Sequence, residues 1–176
     1  MKNITRRCPA EWEKHQATLL SCPSEGRDWP GKYHAIKWAF VEMIKKVTTY
    51  EPVILIVKSD EMREKVAVML EQAHVDPSTV SYLIKDTNRN WMRDSGPAIV
   101  KTADGGREAI QFGFTGWAKY KNHRKDQGIP AAVAQHLRLL DQELGRARRD
   151  LQEAPQRRAD DAAAGVLIHA IASRKN

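Results

Sequence analysis

The chain has 176 residues and a mass of 20.0 kDa, with 29 Lys and Arg against 22 Asp and Glu, a net charge of +7, 41% apolar residues and a mean hydropathy of −0.59. This is one domain's worth of chain with globular rather than disordered composition. No apolar run nears the roughly 20 residues of a membrane span, no block of five like charges marks a nucleic-acid arm, and Cys8 and Cys22 are too few for a disulfide framework and lack paired zinc spacing.

The expected elements alternate strand and helix. Ala17 to Cys22 is a short apolar strand ended by Pro23, and Glu25 to Gly31 carries loop signals. The stripe Ile36, Phe40, Met43, Ile44 and Val47 predicts a helix over 34–47, and Pro52 to Val57 predicts a strand buried on both faces. Ser59 caps a second helix with Asp60 and Glu61 in its first turn, its apolar stripe running from Met62 through Val66, Met69 and Leu70 to Ala73. Val80 to Ile84 is the next strand. Pro97 to Lys101 and Glu108 to Phe114, parted by Asp104-Gly105-Gly106, read as a hairpin. A last helix starts at Pro130, with Val133, Leu137, Leu140 and Leu144 at helical spacing. The order β-α-β-α-β-loop-β-β-α indicates an α/β fold with a mixed sheet.

Composition changes near residue 137. Residues 1–136 hold 13 Lys and 8 Arg, whereas 137–176 hold 1 Lys and 7 Arg, with eight Ala and no Phe, Trp or Tyr. The expected division is therefore a domain over 1–136 and an Arg/Ala-rich tail over 137–176, helical or disordered. Two origins fit that tail: a low-complexity helix, or a change of reading frame near residue 137.

The segment between the third strand and the hairpin, Asp86 to Pro97, mixes Asn, Trp, Arg, Asp and Gly in twelve residues. A carboxylate beside an indole suits a planar cation, because the carboxylate accepts paired N–H bonds from a guanidinium while the ring face attracts its charge. Asp94 and Trp91 can serve in that way. The residues alone equally allow Arg93 to pair with a carboxylate and Asp94 to cap the turn at Ser95-Gly96.

Four motifs in order resolve this choice by resemblance: Pro9 to Thr18 (PAEWEKHQAT), Asp28 to Lys32 (DWPGK), Asn90 to Pro97 (NWMRDSGP) and Phe112 to Tyr120 (FGFTGWAKY). On them the chain resembles the N-terminal part of the agmatine deiminase and bacterial peptidylarginine deiminase family. The resemblance covers about residues 8 to 137 and implies about two of the five ββαβ units of a pentein α/β propeller. It implies a hydrolase acting on C–N bonds of linear amidines, turning agmatine into N-carbamoylputrescine and ammonia within putrescine biosynthesis. Arginine or peptidyl-arginine as substrate is the alternative within the family. Outside it, the alternatives are a non-catalytic short pentein and a basic binding module. By the same resemblance Asp94 holds the guanidinium and Trp91 lines the substrate channel, with Arg93, Asn90, Trp117 and Lys119 as supporting residues. Arg89, Thr115, Leu19 and Cys22 depart from the family pattern, and Arg89 stands where many members carry Asp.

The nucleophilic Cys and the catalytic His of the family are not found in this chain, so it is expected to be inactive by itself. Cys22 reads as a small buried apolar residue, and Cys8 follows Arg6 and Arg7 in the N-terminal arm without a neighbouring base. No cofactor or metal is implied. The expected partner is a small guanidinium substrate, with no nucleic acid and no membrane, homo-oligomerisation left open, and a cytoplasmic location because no apolar segment follows the charged start.

Overall fold

The computed structural model describes residues 6–137 and 169–172. Three parallel strands form its centre: β2 (His15–Ser21), β3 (Val53–Val57) and β4 (Val80–Ile84), preceded by the two-residue β1 (Arg6–Arg7). Parallel neighbours need a crossover, and the helices α1 (Tyr33–Thr48) and α2 (Asp60–Gln72) supply the two connections.

Period-two alternation sorts the apolar side chains to the two faces of the sheet. Leu20, Cys22, Val53, Leu55 and Val57 pack with Phe40, Val41 and Ile44 of α1 and Val66 and Leu70 of α2. Ala17, Leu19, Ile54 and Ile56 face the other way. All five residues of β3 are buried, as its unbroken apolar run predicts. Ser59 caps α2 by accepting from the Met62 N–H at 3.2 Å. The far end of α2 closes with His74 at φ 59, the His74 N–H on the Glu71 carbonyl and the Val75 N–H on that of Leu70. This is a Schellman closure in which His takes the left-handed position usually given to Gly.

On the second face lie α3 (Met92–Ser95), the antiparallel hairpin β5 (Ala98–Thr102) and β6 (Arg107–Ile110), and α4 (Ile129–His136). Met92, Ile99, Ile129 and Val133 complete that core. The hairpin is shorter than its sequence suggests. Ala98 pairs with Ile110, and the next residue back is Pro97, which has no N–H to continue the ladder, so Gln111 to Phe114 leave the sheet. Strand β1 pairs antiparallel with β5, where Glu13 receives Arg7, Lys101 at 3.0 Å and the Ala10 N–H at 2.9 Å.

The expectation of a helical or disordered tail is corrected at β7 (His169–Ala172), whose backbone pairs antiparallel with β2. The free edge of β2 offers unpaired N–H and C=O groups that an extended segment satisfies. The remainder of the 137–176 tail beyond Leu137, including the predicted stripe at Leu140 and Leu144, lies outside the described residues. Among the described residues no helix is long and apolar enough to cross a membrane.

Candidate functional site

Two of the four motifs lie in segments that leave the C-terminal ends of parallel strands, the usual place for a site in an α/β sheet. After β2 comes the segment with Asp28, and after β4 the segment from Asp86 to Pro97. The latter forms α3 instead of remaining a loop. Met92, fully buried, anchors the turn in the second core. Trp91 receives at its carbonyl the N–H and Oγ–H of Ser95, at 3.1 and 2.9 Å, and the Asp94 N–H at 3.2 Å. Residues two apart on a helix point to opposite sides, so burying Met92 leaves Asp94 at the surface of the turn, half-buried.

Asp94 lies beside Trp117, whose indole N–H favours the charged carboxylate. Burial pushes the Asp94 carboxyl above its ordinary range, and the nearby Trp117 N–H and Arg93 charge pull the other way without cancelling it. The Arg93 guanidinium itself is directed to Glu11 and ties α3 to the N-terminal segment.

Trp91, Trp117, Tyr120 and Phe114 form one aromatic cluster. Ring centroids of Trp91 and Trp117 are 4.4 Å apart, those of Trp91 and Tyr120 5.5 Å, and those of Phe114 and Trp117 5.2 Å. The turn that delivers Trp117 is strained. Gly116, Trp117 and Ala118 have φ of 62, 54 and 56°, in the left-handed region that L residues avoid at a cost of roughly 1–2 kcal/mol each. A side chain at Gly116 would meet the His123 ring at 3.1 Å, so glycine is required there on both counts.

The supporting residues diverge. Asn90 is buried, and its Nδ2 has no hydrogen-bond partner among the described residues. Lys119 is exposed, 5.5 Å from the Tyr120 ring. Cys22 is 4% exposed and burial pushes its thiol up to about 12, while Cys8 is exposed. No group of metal-ligating side chains forms among the described residues.

Sequence reasoning missed a second cluster. Arg89, 7% exposed, pairs with Asp28 and donates to Asn122 Oδ1 at 2.5 Å, and its guanidinium carbon lies 4.4 Å from the Tyr120 ring centroid and 5.2 Å from that of Trp91. Asp126, fully buried, accepts the backbone N–H groups of Asn88 at 2.6 Å and Arg89 at 3.2 Å. Asp28 stands within one of the four motifs; nothing in the local sequence marks Asn122 or Asp126.

The Porphyromonas-type peptidyl-arginine deiminase family matches residues 7–146. A Mycoplasma mycoides protein bearing an agmatine deiminase name is 29% identical over 113 residues, 64% of this chain and 29% of its own length. The agmatine deiminase of Pseudomonas aeruginosa is 24% identical over 115 residues, 65% of this chain and 30% of its own length. The chain thus spans less than a third of these relatives. Among solved structures, a C. jejuni agmatine deiminase with substrate bound superposes with a TM-score of 0.66 at 22% identity, covering 80% of this chain and 40% of that one. The agmatine deiminase of Enterococcus faecalis gives 0.67 at 18% identity, covering 76% and 36%. At these identities the structural likeness establishes a shared fold.

Proposed function

The chain belongs to the Porphyromonas-type peptidyl-arginine deiminase family, and on that premise we propose that it carries part of the guanidinium-holding surface of an agmatine deiminase-type hydrolase. The observation that supports this most is the half-buried Asp94 carboxylate beside Trp117, with the Trp91 ring 4.4 Å from that of Trp117 and tilted by 54° to it. A guanidinium laid on one of these ring faces gives Asp94 two N–H donors, and the apolar rings around it screen the pair from water, which strengthens the charge-assisted bonds.

In the complete enzyme the reaction exchanges an amidine nitrogen for oxygen. A thiolate attacks the guanidinium carbon, ammonia leaves, and water cleaves the covalent intermediate to give N-carbamoylputrescine and free thiol. Asp94 balances the substrate charge while the Trp91 and Trp117 rings border the guanidinium. Neither thiol here is suited to act as that nucleophile, since Cys22 is buried with its thiol pushed up to about 12 and Cys8 lies exposed on the arm next to β1. Loss of a nucleophile removes on the order of 10⁶ in turnover in the well-studied subtilisin case, so this chain alone binds and does not turn over.

The test is a calorimetric titration with agmatine beside an ammonia-release assay. Heat at millimolar agmatine with no ammonia above a blank is the expected result. Ammonia release refutes the catalytic half of the reading, and absence of heat refutes the binding half. The second reading, arginine or peptidyl-arginine as substrate, draws on the family's own description; tighter binding of arginine amide than of agmatine would favour it.

A further inference from the structure

Arg89 is surrounded by the groups with which proteins bind a guanidinium from outside. A carboxylate (Asp28), an amide oxygen (Asn122) and two aromatic faces (Trp91 and Tyr120) enclose it, and it is 7% exposed. These groups come from three separate segments, after β2, after β4 and after β6. The fit leaves one donor over, since Arg89 Nε is buried without a hydrogen-bond partner among the described residues. Asp126 reinforces the niche from behind by holding the Arg89 and Asn88 backbone N–H groups.

We infer that the chain contains a second guanidinium-binding niche, formed by Asp28, Asn122, Trp91 and Tyr120, and that Arg89 is its built-in occupant. Trp91 is common to this niche and to the Asp94 site. Arg89 is therefore a positioning residue: by lying over the Trp91 and Tyr120 rings and joining the three segments, it sets the indole against which an external guanidinium would lie. The niche stands on its own geometry, while its effect at Asp94 rests on the function proposed above.

A cavity shaped by an arginine head group is refilled by guanidinium ion and not by an ammonium, which has no planar fork and hydrates more strongly. The experiment compares wild type, Arg89→Ala and Arg89→Lys by thermal unfolding and near-ultraviolet circular dichroism, with millimolar guanidinium chloride, methylammonium chloride or sodium chloride added. Arg89→Ala should lose several degrees and much of its aromatic signal. Guanidinium should restore both beyond any gain it gives wild type, methylammonium should not, and Arg89→Lys should stay impaired. Equal effects of the two cations, or no gain beyond wild type, overturn the niche. If Arg89→Ala does not fold in buffer, the same additions are compared during refolding, where rescue by guanidinium alone supports the niche and equal or absent rescue overturns it. Agmatine affinity, measured alongside, should fall several-fold in Arg89→Ala and recover with guanidinium at levels too low to compete at Asp94. Unchanged affinity overturns the positioning role. Failure of wild type to bind agmatine at all refutes the Asp94 reading and leaves the niche to be decided by the rescue.

Discussion

Replacing Asp94 by Asn separates binding from stability, because the two should move in opposite directions. A carboxylate and a guanidinium about 4 Å apart attract by about 1 kcal/mol in water and about 4 kcal/mol at the effective dielectric of a protein surface. Asp94 is half-buried, so it lies between those limits, and hydrogen bonds to charged groups contribute about 1.5–3 kcal/mol net. The neutral amide should therefore bind agmatine roughly ten- to a hundredfold more weakly. Stability should rise slightly at neutral pH. The Asp94 carboxyl lies above its ordinary 3.8 when folded because burial penalises its charged form. A raised acid favours the protonated folded state, so its charge costs stability above the folded value, and that cost disappears as pH falls through it towards 3.8. Calorimetric titration with agmatine and thermal unfolding at neutral and acid pH read the two effects. Unchanged affinity, or a variant less stable than wild type at neutral pH, would refute the reasoning.

Three further outcomes follow from other groups. Gly96→Ala would place a Cβ 2.4 Å from the Met92 carbonyl oxygen, so α3 must shift, at a cost of about 1–3 kcal/mol in urea unfolding and with weaker agmatine binding. With its thiol pushed up to about 12, Cys22 should resist iodoacetamide at pH 8 while exposed Cys8 reacts, as peptide mass mapping will show. The Arg7 guanidinium, the Ala10 N–H and Lys101 hold the Glu13 carboxyl well below its ordinary 4.5, so its contribution is complete above 4.5 and fades as pH falls through the folded value; Glu13→Gln should flatten the acid limb of the stability curve.

The central sheet is legible because its signals are local. The unbroken run Val53–Val57 can only be a strand buried on both faces, and Ser59 before Asp60 and Glu61 marks a helix start by cap and dipole chemistry. Elements held by distant partners are not legible in this way. Strand β1 is two arginines with no apolar pattern, fixed by Glu13, Glu108 and pairing with β5. The true end of β6 is set by Pro97 on the opposite strand. At the site, motif order marks Asp94 and Trp91, but the partners of Arg89 stand 61 and 33 positions away at Asp28 and Asn122, and only the fold brings them together.

Under the function proposed above, the distribution of ion pairs favours Asp94 over the other acids as the group that would meet an external cation. Asp28 is taken by Arg89, Glu11 by Arg93, Asp86 by Lys125, and Glu13 by Arg7 and Lys101. Asp126 is sealed from solvent and occupied by backbone N–H groups, so its remaining oxygen is out of a ligand's reach. Glu42 and Glu71 are exposed, where screening by water leaves a single pair worth about 0–1 kcal/mol. Asp94 alone among these is partly desolvated, accessible and without a salt-bridge partner among the described residues, and the neighbouring Trp117 favours its charged form without neutralising it. A cation arriving there recovers the energy that burial of the carboxylate has cost, which is the physical condition for selecting a charged ligand over water. Arg93 is kept from cancelling that charge because its guanidinium is drawn to Glu11, so Glu11→Gln should free Arg93 to fold back towards Asp94 and weaken agmatine binding without touching the site directly. An agmatine affinity unaltered by Glu11→Gln would show that Arg93 is held off by α3 itself.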